Sequence, residues 1–231
     1  MDQGDAFSTL SHLLNERHSC RAFLTRPVSR SLIEQIVQVA QRSASWCNLQ
    51  PWQVVVTEGA GTDRFRDALY AHAVEHQRAP EDNEPDIPFP TAYEGVYKER
   101  QRACGLVYYD AVGVVGDRAA SALRVLENFR LFGAPHTMIV TTEADLGAYG
   151  AIDCGGFIAN FILAAHSLGV ATIAQAAIAM HCGFVRRYFD LPAHRQILCA
   201  VSFGYPDEKD PANSFRTARA GLEEVLTYRS D

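Results

Sequence analysis

The sequence predicts an α+β fold. Three observations lead there: segments with helical periodicity outnumber β-branched runs, regular β-α-β alternation is absent, and one long apolar helix has no polar face to offer solvent. Residues 5–17 open the pattern, with Phe7, Leu10, Leu13 and Leu14 at helical spacing. Residues 29–42 make a stronger helix on a stripe of Leu32, Ile33, Ile36, Val37 and Ala40. Pro27 and serines sit at its start, and Ser31 with Glu34 has capping-box spacing. The run QVVVT at 53–57 reads as a strand, and 62–77 as a surface helix. Helices are expected over 97–107 and 117–132, then a strand at 136–142 (HTMIVTT). Residues 153–168 form a helix that is apolar on nearly every face, with Asp153 at its start and Gly169 at its stop. Such a helix has to be covered all round, by the core or by a second subunit. Gly155 and Gly156 in its first turn leave room for another backbone. A strand at 170–174, a helix at 182–190 and a buried strand at 197–204 complete the chain.

Composition narrows the function. The chain has 231 residues, 48% hydrophobic, 10% aromatic and 21% charged, which excludes a disordered or low-complexity protein. With 27 acidic against 21 basic residues and a net charge of −6, it is a poor partner for nucleic acid. All but two of the basic residues (Lys98 and Lys209) are arginine. The start MDQGDAFSTL is acidic where a signal peptide is basic. The richest apolar stretch, 157–168, is interrupted by Asn160 and His166 and is too short to span a bilayer. A cytoplasmic protein with no membrane partner is therefore expected. The six cysteines (20, 47, 104, 154, 182, 199) show no CxxC spacing and read as reduced, mostly buried side chains. The excursion APEDNEPDIPFP at 79–90 reads as a mobile insertion within a single domain spanning 1–231.

Several motifs carry possible chemistry. His72, Glu75 and His76 match the HxxEH zinc-peptidase spacing, but a zinc site needs a third ligand, and no metal is expected. Gly59-Ala-Gly61 lacks the third glycine of a dinucleotide fingerprint, and neither GxxxxGK[ST] nor GxSxG occurs. Arg17-His18-Ser19-Cys20-Arg21 places two guanidinium groups and a hydroxyl in five residues, which suits either a phosphate clamp or a solvated basic turn. In the loop at 44–52, polar Ser45, Asn48 and Gln50 alternate with Trp46 and Trp52. That loop suits either the edge of a planar heterocycle or simple anchoring of the next strand. Arg216 and Arg219 add a basic pair near the C-terminus.

In this order, the segments resemble the nitroreductase family of FMN-dependent oxidoreductases. The resemblance rests on RHSCRAF followed by Pro27-Val28, on ASWCNLQPW, and on DCGGFIANFILAAHSLG. Phe132-Gly-Ala-Pro135 before a strand, FGYP at 203–206 and NSFRTAR at 213–219 add to it. It covers nearly the whole chain and is weakest over 62–128.

The resemblance implies an α+β sandwich with a central, mostly antiparallel sheet flanked by helices. It also implies an intertwined homodimer with FMN in clefts at the subunit interface. Arg17, Ser19, Arg21 and Arg219 would hold the FMN phosphate and ribityl chain, with His18 contributing mainly backbone. Ser45 and Asn48 would meet the polar flavin edge, and the backbone of Ala174-Gln175-Ala176 would lie beside flavin N5. Residues 80–132 would form a variable lid, with Tyr93, Tyr97, Phe129 and Phe132 as its aromatic wall and Trp46 on the substrate side. Ala44 and Ala174 stand where the family often has proline, which implies softer loops.

The implied activity is hydride transfer from NADH or NADPH through the flavin to a small electron-poor acceptor, a nitroaromatic compound or a quinone, in a two-step exchange. No side chain is expected to be catalytic, because the flavin carries the chemistry. Two alternatives remain: a reductive dehalogenase of the deiodinase type and a flavin-storage protein. Glu94, Tyr97 and Lys98 fit the first in kind, but Asn128 and Phe129 occupy the stretch where its lysine belongs.

Overall fold

The computed structural model describes residues 3–76 and 85–230, so residues 79–84 of the acidic excursion and Gln77 of the expected third helix lie outside the described residues. Four strands, β1 (Gln53–Val56), β2 (His136–Glu143), β3 (Ala171–Gln175) and β4 (Arg195–Gly204), form a sheet in the order β1-β2-β4-β3. Every neighbouring pair is antiparallel. The helices of the described residues are α1 (Gln3–Glu16), α2 (Arg30–Ala40), α3 (Ala60–His76), α4 (Gly95–Ala111), α5 (Arg118–Leu126), α6 (Gly147–Ser167) and α7 (Cys182–Tyr188). The α+β expectation holds.

The sheet is covered on both faces, which is why the central strands lack a polar side. Met138 and Val140 of β2 pack with Ile33, Ile36, Phe157 and Phe161 of α2 and α6. Ile139, between them, points the other way and packs with Phe65, Leu69 and Val185 of α3 and α7. A bulge in β4 breaks the period: Val140 pairs with Cys199 but Thr141 pairs with Ile197. The extra residue lets Cys199 join the first layer while Ile197 and Ala200 join the second.

Three element boundaries differ from the sequence expectation. The N-cap of α2 is Ser29, whose side chain accepts from the Leu32 N–H, and Ser31 instead sits 3.1 Å from the Ser29 hydroxyl. Helix α5 stops at Leu126 rather than 132: the N–H groups of 127–131 bond three residues back as tight turns, and Leu131 and Phe132 then adopt left-handed φ values of 57° and 51°. Leu126, Phe129 and Leu131 are core residues, so the end of the expected lid belongs to the body of the fold. Helix α6 begins at Gly147, six residues before Asp153. Gly150 is a close-packing residue there, not a breaker: a Cβ would lie 2.7 Å from Thr142 Oγ1 and 2.8 Å from Leu146 Cβ.

Helix α6 is covered on one side only within the chain. Cys154, Phe157, Phe161, Ala164 and Ala165 are buried, while Tyr149 (59% exposed) and Ile152 (65%) face outward. A Cβ on Gly155 or Gly156 would meet nothing within 4 Å. At its full length α6 is long and apolar enough to cross a membrane; the expectation that it is too short considered only its second half. Its packing against α2, β2 and β3 makes it a core helix of this fold.

Candidate functional site

The segment after α1 is held as an extra strand-like edge. Ser19 bridges Thr172 of β3 in parallel, and the Cys20 N–H donates to the Thr172 carbonyl at 3.0 Å. On its other side, the Arg21 N–H donates to Asn213 Oδ1 at 2.7 Å, and Asn213 Nδ2 donates back to the Ala22 and Asp207 carbonyls. This buried asparagine was not singled out from the sequence, although it opens the NSFRTAR tail. It fixes the backbone that aims Arg21 and turns the tail back across it.

The result is a cavity of about 220 Å³ lined by Arg17, His18, Ser19, Arg21, Arg216 and Arg219. Among the described residues, no aspartate or glutamate lines it. Arg21 lies over two adjoining aromatic rings, 5.0 Å from the Tyr108 ring and 5.3 Å from the Phe215 ring. Burial lowers its pKa from the ordinary guanidinium value, so the charge is held there at a cost. His18 donates through Nδ1 to the Glu16 carbonyl at 3.3 Å, while its Nε2 is buried without a partner. Burial, offset in part by that hydrogen bond, holds the imidazole pKa below its usual value, and Arg216, His166 and Arg17 push it the same way. Four guanidinium groups around one cavity suit a phosphate dianion, the terminal group of FMN. With Nδ1 donating and the imidazole neutral, His18 Nε2 is an acceptor, suited to a hydroxyl and not to a phosphate oxygen.

A second cavity, of about 250 Å³, continues from the first through Ser19 and Arg21. Its walls include Ala174, Gln175, Ala176 and Phe132, together with Tyr109, Arg124 and Asn128. The Gln175 side chain is buried, 2% exposed. Its Nε2 donates to the Asn128 carbonyl at 2.8 Å, and its Oε1 accepts from the Ser202 hydroxyl at 2.5 Å. These bonds tie the turn at 174–176 to the end of α5, so Ala174 does not leave the turn loose.

The other expected contacts lie elsewhere in the chain. Ser45, Trp46 and Asn48 stand at the N-terminal end of α6, where the Trp46 N–H donates to Asp153 Oδ2 at 3.0 Å. The arginine cavity adjoins the opposite end, near His166. Thirteen helical residues separate Asp153 from His166, about 20 Å. The loop is strained and tied down: Cys47, Asn48 and Gln50 all have left-handed φ, and the Gln50 N–H donates to Ser45 Oγ at 3.0 Å. Softness does not follow from Ala44. Trp46 is exposed and packs on Tyr149, 4.8 Å between rings. Phe129, expected on the substrate side, is core instead: it is 5% exposed, with its ring against His181. Tyr93, Glu94, Tyr97 and Lys98 lie exposed at the start of α4.

The HxxEH pair acts as packing. The His72 and His76 rings lie 3.8 Å apart, His181 lies 5.1 Å from His72, and His72 stacks on Phe184. Among the described residues, no group of three His, Cys, Asp or Glu side chains is placed to hold a metal ion.

Comparison with known proteins decides the family. The Nitroreductase family model matches residues 14–205, which takes in most of both cavities and the 45–48 loop. The chain belongs to the nitroreductase family. This nitroreductase is 32% identical to a 4-nitrobenzoate reductase of Pseudomonas putida over 208 residues, 88% of each chain. It is 31% identical to a nitrobenzene nitroreductase of Ectopseudomonas oleovorans over 95% of this chain and 96% of the relative. In three dimensions it is similar to the FMN-dependent nitroreductase NfnB from Mycobacterium smegmatis, solved in complex with NADPH. The TM-score is 0.89 and the identity 28%, over 97% of this chain and 100% of that one.

Proposed function

We propose that this nitroreductase is a homodimeric FMN enzyme that uses NADH or NADPH to reduce a small electron-poor acceptor, a nitroaromatic compound or a quinone. The observation that carries the proposal is the acid-free arginine cavity, which runs through Ser19 and Arg21 into the space beside the 174–176 turn. Arg17, Arg21, Arg216 and Arg219 bind the phosphate by charge and forked hydrogen bonds, with the Ser19 hydroxyl adding to the same cradle. The backbone of Ala174-Gln175-Ala176 flanks the ring system, and Gln175 keeps that turn in register with Asn128. FMN, when bound there, would supply the redox chemistry between the nicotinamide and the acceptor. Donor and acceptor bind in turn, in a two-step exchange. The chain's own work is orientation and charge.

A second copy completes the site. Ser45, Trp46 and Asn48 lie about 20 Å from the arginines along α6, and the outer face of α6 is an uncovered apolar strip of Tyr149, Ile152, Gly155 and Gly156. Two copies packed antiparallel along that strip bring the 45–48 loop of each to the arginine end of the other. Phe7 of α1 and Val225 and Tyr228 of the tail are also largely exposed in the single chain and find cover in the same dimer. Of the expected lid, residues 85–125, α4 among them, serve as the lid.

The test is steady-state oxidation of NADH and NADPH by FMN-loaded protein, with nitrobenzene, 4-nitrobenzoate and a benzoquinone offered separately. Turnover that fits a two-step exchange, in a protein sedimenting as a dimer, supports the proposal. Tight FMN binding with no turnover on any acceptor leaves the storage alternative. Failure to bind FMN overturns both. A Gly156→Glu variant should shift the protein toward monomer and weaken FMN binding together.

A further inference from the structure

We propose that Arg124 selects aromatic acceptors that carry a carboxylate. This deepens the reductase function proposed above and rests on it. Arg124 occupies the last turn of α5 and borders the cavity formed by the 174–176 turn and Phe132. Among the described residues, no carboxylate lies within ion-pair distance of it; the nearby Glu127 pairs with Arg130 instead. Asn128, one turn further along the chain, is pinned to Gln175 by its carbonyl. Asn128 lies two residues past the end of α5 and borders the same cavity as Arg124.

The neighbouring wall carries no charge: Tyr109, Asn128, Phe132 and the 174–176 turn. Arg21, the other cation there among the described residues, also lines the arginine cavity and sits over the Tyr108 and Phe215 rings. Arg124 also borders an adjoining cavity with Glu127, Asp207 and Asp210 but forms no ion pair with them, so its charge is open to a ligand at the aromatic wall. A nitro group is neutral overall and needs no such partner. A ring carboxylate does: a planar guanidinium offers it two parallel hydrogen bonds in a partly desolvated setting. The inferred substrate class is nitroaromatic acids, with uncharged nitroarenes as poorer substrates.

The experiment compares FMN-loaded wild type, Arg124→Gln and Arg124→Lys with 4-nitrobenzoate and nitrobenzene at saturating NADPH. A second readout, independent of turnover, is benzoate binding to the oxidised holoenzyme, followed by perturbation of the flavin absorbance. For Arg124→Gln, kcat/KM for 4-nitrobenzoate should fall about 10- to 100-fold, mainly through KM, the loss expected for one hydrogen-bonded charge. Nitrobenzene should change by less than about threefold. Benzoate binding should disappear in Arg124→Gln and survive, weakened, in Arg124→Lys. Equal losses on both acceptors, no loss on either, or a change confined to the KM for NADPH would each overturn the proposal. If wild type reduces nitrobenzene but neither binds benzoate nor favours 4-nitrobenzoate, this inference alone fails. If it binds benzoate but reduces no nitroarene, the reductase function fails while the anion site stands. If it does neither, both fall.

Discussion

Replacing Arg21 with glutamine tests the phosphate cradle most directly. The guanidinium sits over the adjoining Tyr108 and Phe215 rings, its backbone N–H is held by Asn213, and no carboxylate of the described residues lines the cavity it shares with Arg17, Arg216 and Arg219. A hydrogen bond from a charged donor to a charged acceptor is worth about 1.5–3 kcal/mol. Losing it should weaken FMN binding by about 10- to 150-fold. The accompanying cation–π interactions are worth only about 1 kcal/mol each, and burying an unpaired charge costs stability, so the fold should lose little. The assay is flavin fluorescence titration of the FMN-free protein at two ionic strengths, with thermal unfolding run in parallel. Arg21→Lys should fall between wild type and Arg21→Gln, because it keeps the charge but not the fork. An unchanged FMN affinity in a folded Arg21→Gln protein would refute the reasoning. So would a drop in affinity that merely tracks a general loss of folding.

Three further outcomes follow from the same structure. Gln175→Ala strands the Asn128 carbonyl and leaves the Ser202 hydroxyl only its longer bond to Thr137 Oγ1, so urea unfolding should show a loss of about 1–3 kcal/mol, and FMN affinity should drop as the 174–176 turn loosens. Arg195 is 3% exposed and holds Glu143 at 2.8 Å, the Thr141 carbonyl at 2.8 Å and the Pro51 carbonyl at 3.1 Å. Arg195→Met should cost about 1–3 kcal/mol by chemical denaturation, because it leaves the buried Thr141 and Pro51 carbonyls unsatisfied while part-exposed Glu143 is rehydrated. Burial, with His72 and His76 beside it, pushes the His181 pKa down to about 4 from 6.5. The native state refuses a proton that the unfolded chain accepts, so the stability linked to His181 is complete above pH 6.5 and is lost as pH falls toward 4. The loss is about 3 kcal/mol in total. His181→Phe should flatten that part of the pH–stability curve, measured by urea midpoints at pH 7.5 and 4.5, and an unchanged slope would show that other groups set it.

Much of the arginine cluster was legible because it is carried by short local runs. Arg17 to Arg21 follow directly on α1, and a bridge to Thr172 needs only that the run be extended. Asn213 was not legible, since its function is to bond backbone atoms 191 and 192 positions away. Phe129 was misplaced for a related reason. Its helix was expected to continue, but the chain breaks after Leu126 and turns the ring inward against His181. Left-handed Leu131 and Phe132 run against local preference and persist only because the core around them holds that conformation.

Periodicity and composition by themselves determined the α+β class, the helices that sandwich the sheet, and the surplus of apolar surface on α6, because each depends on residues a few positions apart. Tertiary structure alone decided which side of α6 stays open, where buried Arg195 is satisfied, and how far apart the arginines and the 45–48 loop lie. Those outcomes depend on distances between segments remote in the chain, and no local pattern encodes such distances.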